Sequence, residues 1–189
     1  MKYFLGFLVS IGLIVTVFIL VLHGFSGGNK KQAGPDLSSY ANTNTAMQLV
    51  VDGPINADQQ HVGYRITVSS TEVDMDVYSG YQDNVTQTKT YVNNTAAYTS
   101  FLNALQLAGF TKGATGPKVQ TNESGYCAAG DRYVYSIINE DTDANKQRFW
   151  STTCGGQGTF KGNISQVHLL FENQVPDFAS LTNQLTLSE

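Results

Sequence analysis

The feature that most constrains this chain is an uncharged apolar run near its amino terminus. Residues Tyr3 to Leu22 are 20 consecutive positions without a charged side chain. At about 1.5 Å per residue, a helix of this length spans about 30 Å, the thickness of the hydrocarbon core of a bilayer. The run therefore predicts a single transmembrane helix.

A cleaved secretory signal is the alternative interpretation of the same run. Lys2 would be its charged start, and Ser26-Gly27-Gly28 offers small residues at which a peptidase could cut. The apolar core of a signal peptide is usually only about 7 to 15 residues long, and this run is longer. Its length favours an uncleaved signal anchor.

The rest of the chain is polar and acidic. From Ala46 to the carboxyl terminus there are 8 basic and 14 acidic residues, with no stretch in which basic residues gather. Proteins that bind nucleic acid neutralise its phosphates with clustered Lys and Arg, so nucleic-acid binding is not expected. The 189 residues are enough for one domain of ordinary size beyond the anchor.

Cys127 and Cys154 are the two cysteines of the sequence. Two is the minimum for one disulfide, which forms in oxidising compartments. The lysines on either side of the apolar run are too evenly balanced to orient the anchor by charge, so the cysteine pair is what places the body outside the cytoplasm. Two unpaired buried thiols remain the alternative, because cysteine is often buried without a partner.

Three regions follow from these patterns. Residues 1–23 form the signal anchor, and residues 24–45, rich in Gly, Ser, Asn and Thr, form a flexible polar tether. Residues 46–189 form the extracytoplasmic domain, in which no internal repeat is visible.

Alternating apolar and polar residues predict an antiparallel sheet of about five or six strands. The clearest alternation places Tyr64, Ile66 and Val68 on one face and Arg65 and Thr67 on the other. The strand candidates are MQLVV, VGYRITV, EVDMDVY, VTQTKTYV, RYVYSII and QRFWSTT.

One long helix is predicted between the fourth and fifth strands. Asn93 or Asn94 can cap it, and Gly109 can end it, because glycine readily adopts the left-handed conformation at a helix end. Its apolar stripe consists of Tyr98, Phe101, Leu102, Leu105 and Ala108.

The carboxyl-terminal region predicts two short helices, the second with Pro176 at its first position. Val167, Leu169 and Phe171 also alternate, so a strand there is the alternative. Residues 111–130 lack any period, and a loop of this length in a compact domain is either functional or pinned in place.

No motif identifies a reaction. His23, His61 and His168 lie outside zinc-ligand spacing of one another and of the cysteines, so neither a metal nor a catalytic residue is assigned. A Ser-His-carboxylate site is still possible, since folding rather than spacing assembles it. A cleft joining His61 or His168 to a carboxylate and a serine would favour a hydrolase.

Asp141, Asp143 and Asn145 resemble the opening of a calcium loop. The resemblance fails further on, because Lys146 replaces the glycine and Thr152 replaces the bidentate glutamate. A solvated turn between the fifth and sixth strands is the favoured interpretation.

The glycine-rich segment after Cys154 matches neither the phosphate-binding loop nor the dinucleotide fingerprint. Together with the long loop beside it, this edge is nevertheless the best candidate for a contact surface, because aromatic anchors on scaffolded loops often carry recognition. The candidate binding residues are Trp150, Gly155, Gly156, Gly158 and Phe160. The alternative is that Trp150 belongs to the core.

The segments YVNNTAAYTSFLNALQLAGFTKG, WSTTCGGQGTF and LLFENQVPDF resemble stretches in uncharacterised single-span envelope proteins of ultrasmall candidate-phylum bacteria. The resemblance covers most of residues 46 to 186. It implies a bacterial setting and a disulfide between the two cysteines, and it brings no activity or catalytic residues.

The expected fold is α+β: an antiparallel sheet with one long helix packed on it and two short carboxyl-terminal helices, preceded by the transmembrane helix. The expected function is a non-enzymatic interaction or assembly module of the cell envelope that needs no cofactor. Its partners would be the membrane, through Tyr3 to Leu22, and other envelope proteins or a surface polymer. A cell-wall or peptide hydrolase, or an accessory subunit of a membrane complex, is the alternative.

Overall fold

A computed structural model describes residues 35–81, 84–142, 144–183 and 185. The predicted transmembrane helix over Tyr3 to Leu22 and most of the predicted tether lie outside these residues. None of the helices in the described part of the chain has the length and hydropathy that crossing a bilayer requires.

The domain is built on one antiparallel sheet whose strands lie in the order β4-β3-β2-β1-β5-β6. The strands are β1 (Thr45–Asp52), β2 (Val62–Val68), β3 (Glu72–Ser79), β4 (Asn84–Val92), β5 (Arg132–Asn139) and β6 (Asn145–Thr152). The helices are α1 (Thr95–Ala108), α2 (Ile164–Glu172) and α3 (Phe178–Thr182), and short 3₁₀ turns span Leu37–Tyr40 and Asp58–Gln60. The α+β prediction, with six strands, one long helix and two short ones, is confirmed for the described residues.

The two faces of the sheet differ in what they carry. On the helix face, Leu49 lies opposite Ile66 and Tyr135, and all three are buried. On the outer face, Val50 lies opposite Arg65 and Val134. Because side chains alternate along a strand, each strand contributes to both faces, and the apolar alternation in the sequence marks the helix face.

Helix α1 forms as its sequence predicts. The side chain of Asn94 accepts a hydrogen bond from the backbone N–H of Ala97 at 3.0 Å, which satisfies one of the free donors of the first turn. Gly109 ends the helix with φ 77°, in the left-handed region. All five residues of the predicted stripe are buried and belong to the core.

The packed domain begins earlier than the predicted boundary at residue 46. Leu37 is fully buried in the core, and its backbone N–H donates to Oε1 of Gln106 in α1 at 2.9 Å. Ala41 is also buried. The assignment of all of residues 24–45 to a flexible tether is therefore wrong at its carboxyl-terminal end, because an isolated leucine in polar sequence gave no sign that it would reach the core.

Helices α2 and α3 close the helix face. Asn163 caps α2 by accepting from the backbone N–H of Gln166 at 3.1 Å, and the ring of Phe171 meets Phe101 edge to face at 5.1 Å. The strand alternative for this segment is wrong. Helix α3 begins at Phe178, so Pro176 precedes the helix instead of opening it.

The acidic segment between β5 and β6 forms a turn, which was the favoured prediction. The backbone N–H of Asp141 donates to Oδ1 of Asn139, and the Asp141 carboxylate accepts from Nδ2 of Asn44 at 3.0 Å. The acidic side chain therefore ties this turn to the segment that leads into β1. Asp143 lies outside the described residues.

Candidate functional site: a disulfide-held loop with two cavities

The long loop after α1 lies across the outer face of the sheet. We call residues 111–130 the strap. Its Gln120 carbonyl accepts from Nε1 of Trp150 in β6 at 2.8 Å, and its Ala128 carbonyl accepts from the backbone N–H of Ile55 after β1 at 2.8 Å. The strap therefore reaches from one edge of the sheet to the end of its central strand.

A disulfide closes the strap at its far end. Cys127 and Cys154 are bonded with a Cα–Cα distance of 5.5 Å, and neither is a free thiol. The predicted pair is confirmed, and the alternative of two unpaired thiols is wrong. The bond closes a loop of 27 residues in sequence separation, which restricts the unfolded chain.

An ion pair holds the middle of the strap. Nη2 of Arg148 in β6 lies 2.6 Å from Oε2 of Glu123, and its Nη1 donates to the carbonyl of Thr121 at 2.6 Å. The two charged side chains are only 31% and 16% exposed, so water screens the pair incompletely. The prediction that a loop of this length is pinned in place is thus confirmed.

The first cavity, which we call the tryptophan cavity, lies between the strap and the glycine-rich segment. Its volume is about 190 Å³. The rings of Trp150 and Tyr126 meet there, with centroids 4.9 Å apart. The lining residues are Ala114, Val119, Gln120, Tyr126, Trp150, Gln157, Gly158 and Thr159.

Two of the predicted binding residues at this edge, Trp150 and Phe160, are buried aromatic side chains. Trp150 is 2% exposed, so it forms the wall of the cavity rather than an exposed anchor. Phe160 is 5% exposed and stacks on Tyr135 at 4.1 Å, so it belongs to the core on the helix face. Tyr126, which the sequence did not single out, is the exposed aromatic residue of this cavity.

The three predicted glycines have different structural roles. A Cβ on Gly158 would lie 2.3 Å from the carbonyl oxygen of Trp150, so glycine is needed for the chain to approach β6 this closely. Gly155 and Gly156 are exposed in the turn after Cys154, with φ values of 62° and 73°. That these two contact a ligand stays a prediction.

The second cavity, which we call the arginine cavity, lies on the other side of the strap at the end of β1. Its volume is about 120 Å³. Arg132 at the start of β5 is 3% exposed, and its Nη2 donates to Oδ2 of Asp52 at 3.1 Å and to the Gly53 carbonyl at 2.8 Å. The lining residues are Asp52, Ile55, Tyr81, Glu123, Ser124, Gly125 and Arg132.

His61 contacts Asp52, one of the residues that line the arginine cavity. Its Nε2 lies 3.1 Å from Oδ1 of Asp52, its Nδ1 lies 3.1 Å from the carbonyl oxygen of Pro54, and its ring stacks on Tyr81 at 4.1 Å. Both partners are acceptors, so both contacts are hydrogen bonds only when both ring nitrogens carry a hydrogen, as in the imidazolium form. The ring is 1% exposed and has no nitrogen left for Ser124.

His168 lies on the helix face in a separate hydrogen-bonded chain. Its Nε2 is 3.0 Å from the hydroxyl of Tyr135, which in turn is 2.9 Å from Oγ of Ser151. Burial lowers the pKa of His168 to about 4, so the ring is neutral at pH 7. Ser151 is 2% exposed, which keeps its hydroxyl away from any large substrate.

A third and larger depression lies on the outer face of the sheet, where residues from all six strands line it. It has a volume of about 630 Å³ and a mostly polar lining. Its charges are engaged with one another: Arg65 pairs with Asp76 at 2.9 Å, and Thr90 donates to Asp74 at 2.6 Å. Because ligand sites usually combine apolar walls with a few polar groups, we favour the two smaller cavities beside the strap.

The sequence did not foresee the cluster of Asp52, His61 and Arg132. These residues are up to 80 positions apart, and each lies at a strand end or directly beside one. In the observed strand order, Asp52 lies opposite Arg132 on one side and Gly63 on the other. The order of the strands was the missing information, because it decides which strand ends meet.

The chain matches no protein-family model and no curated protein sequence.

Proposed function

We propose that this chain is a membrane-anchored, extracytoplasmic interaction module of the cell envelope that binds its partner through the surface formed by the strap. Anchoring through Tyr3 to Leu22 is part of the proposal and is supported by the length of that apolar run. The disulfide supports an oxidising location, since such bonds persist outside the cytoplasm.

The observation that carries the proposal is the way in which the strap is held. A disulfide, an ion pair and backbone hydrogen bonds fix an irregular loop over the sheet. Exposed Tyr81 and Tyr126 lie beside the two cavities that flank it. A rigid loop with exposed aromatic residues binds at a low cost in conformational entropy, which suits recognition.

The histidine contacts support binding over hydrolysis. The arginine cavity does bring a carboxylate and a serine near a histidine, as a hydrolase would require. In that cluster, however, both nitrogens of His61 face acceptors other than Ser124. To act as a general base, His61 would first have to break its contact with Asp52 or with the Pro54 carbonyl. On the helix face, the Tyr135 hydroxyl lies between His168 and Ser151 in the hydrogen-bonded series, so His168 does not contact that serine directly.

Photo-crosslinking in living cells tests the proposal. A photoreactive residue replaces Tyr126 or Tyr81 beside the strap, and a matched control replaces Leu107, which is 83% exposed on α1. We expect discrete adducts at the two strap-side positions and none at Leu107. Equal adducts at all three positions, or adducts at Leu107 alone, would contradict the proposal.

A further inference from the structure

We infer that the arginine cavity binds the carboxylate of a peptide carboxyl terminus whose last side chain is apolar. The inference rests on the proposed function and specifies its ligand. It is carried by an unpartnered buried donor, by the pairing of both lining carboxylates, and by the exposed apolar rim of the cavity.

The donor is the guanidinium of Arg132. Among the described residues, its Nη1 is the one buried side-chain nitrogen or oxygen that has no hydrogen-bond partner. Leaving a charged donor buried without an acceptor is costly, and a ligand that supplies an oxygen removes that cost. Arginine is also the side chain best shaped to bind a carboxylate, because its planar fork offers parallel N–H donors.

The carboxylates that line the cavity are already engaged with cationic side chains. Two carboxylates line it, Asp52 and Glu123, and both are already paired. Their partners are the guanidinium groups of Arg132 and Arg148, and the ring of His61 also contacts Asp52. Each lining carboxylate is thus paired with one guanidinium, while Nη1 of Arg132 still lacks an acceptor.

The existing partners of Asp52 keep it from opposing the ligand. Its Oδ1 accepts from His61 and from the hydroxyl of Tyr78 at 3.1 Å, and its Oδ2 accepts from Arg132. Glu123 is held by Arg148 in the same way. The charge of each acid is thus offset before a ligand arrives.

The walls of the cavity suit a small carboxylate with an apolar neighbour. Its volume of about 120 Å³ is roughly four times the ~30 Å³ that one water molecule occupies in the liquid. Ile55 and Tyr81 at its rim are 41% and 48% exposed. Ser124 offers a hydroxyl donor, and its neighbour Gly125 has open space where a Cβ would stand, so this turn has room to move outward as an oxygen reaches Arg132.

Binding of a matched peptide pair to the full chain in detergent tests the inference. The probes are N-acetyl-Ala-Leu with a free carboxyl terminus and the same peptide as its amide, with glucuronate as an acidic sugar. We expect the acid to bind at least about tenfold more tightly than the amide, because only the acid supplies a charge-assisted bond. Equal binding of acid and amide, no binding of the acid, or binding of glucuronate alone would overturn the inference.

Several substitutions test whether the peptide binds in the arginine cavity, so that the result does not depend on any single variant. Ser124→Ala and Tyr81→Ala alter exposed side chains, and each should weaken binding of the acid several-fold. Arg132→Lys keeps the charge but loses the planar fork, and it should weaken binding most, with circular dichroism verifying its fold. Leu107→Ala, at an exposed position of α1 away from both cavities, is the matched control and should leave binding unchanged. Unchanged binding in Ser124→Ala and Tyr81→Ala would overturn the location.

The two proposals fail separately. If crosslinks form at Tyr81 and Tyr126 in cells while the acid peptide does not bind, the contact surface stands and the carboxylate ligand is wrong. If no strap-side crosslink forms while the acid peptide binds in the predicted order of variants, the carboxylate site stands and the envelope partner is wrong.

Discussion

The helix face and the outer face of this sheet are held by different kinds of interaction. On the helix face, large apolar side chains from every helix pack into one continuous core. On the outer face, the strap is held by a disulfide, an ion pair and hydrogen bonds to backbone carbonyls. Apolar burial supplies most of the stability, whereas a few directional bonds fix the shape of the surface that we propose for binding.

The largest expected effect is on the helix face. Leu102→Asp buries a carboxylate among apolar side chains, so it should cost more than about 4 kcal/mol and leave the domain unfolded. Leu107→Asp on the same helix alters an exposed residue and should change stability by less than about 0.5 kcal/mol. Denaturant unfolding measures both, and a folded Leu102→Asp protein would show that the core is not where stability lies.

Removing the disulfide should have the next largest effect. Replacing both cysteines by serine removes the closure of a 27-residue separation, which costs about 3 to 4 kcal/mol. We expect a lower midpoint of denaturant unfolding but retention of the helical far-ultraviolet signal under native conditions, because the core does not involve this bond. Loss of the helical signal in the absence of denaturant would show that the helix face cannot fold without the disulfide.

The pH dependence of stability should report on the partly buried ring of His168. Its pKa is about 4 in the folded protein against an ordinary value of 6.5 for an exposed histidine, so the unfolded chain takes up a proton first as the pH falls. Stability from this group is present above pH 6.5 and is lost towards pH 4. The loss should reach about 2 to 3 kcal/mol.

A variant separates His168 from other titrating groups. Burial raises the pKa of Glu172. A carboxyl group with a raised pKa in the folded protein lowers stability as the pH rises, so its effect is opposite in sign to that of His168. Denaturant unfolding between pH 7 and pH 4 should therefore be compared with that of His168→Gln, which keeps a side chain able to bond Tyr135. If both proteins lose the same stability on acidification, the burial of His168 is not the cause.

The ion pair of the strap should contribute less. Arg148→Met and Glu123→Gln should each cost about 1 kcal/mol, since the pair is partly exposed. A double-mutant cycle isolates the interaction between them. A coupling of zero would show that the disulfide and the hydrogen bonds fix the strap without the ion pair.

The smallest expected effect lies on the open part of the outer face. Thr90→Val removes a hydrogen bond to Asp74 between exposed side chains, and it should change the free energy of unfolding by less than about 0.5 kcal/mol. A larger loss, measured by denaturant unfolding, would mean that this polar face helps to hold the sheet together.

The sequence predicted the helix face better than the outer face for a physical reason. The residues of α1 and of β1 to β3 repeat with the period of their element, so Phe101, Leu105 and Ile66 could be assigned to the core from their spacing alone. The strap has no period, and its contacts are single bonds to distant residues, as between Trp150 and Gln120. Such bonds leave no pattern in the sequence.

The candidate site shows the same division. The cysteine pair could be predicted because the chain offers only one pairing. That the glycine-rich edge is a contact surface stays a prediction. The burial of Trp150 and Phe160 could not be decided from the sequence, because composition does not tell which face of a strand or loop is covered. Arg132 was missed because its partners become neighbours only through the strand order.

Thiol mapping in intact cells tests the central claim most directly, because the surface that we propose depends on the strap being closed in an oxidising compartment. Cells are treated with a membrane-permeant alkylating reagent before lysis, and the peptides that contain Cys127 and Cys154 are then identified by mass spectrometry. The account predicts that the two peptides are recovered joined by a disulfide and without the reagent. Recovery of both cysteines as alkylated free thiols would contradict it.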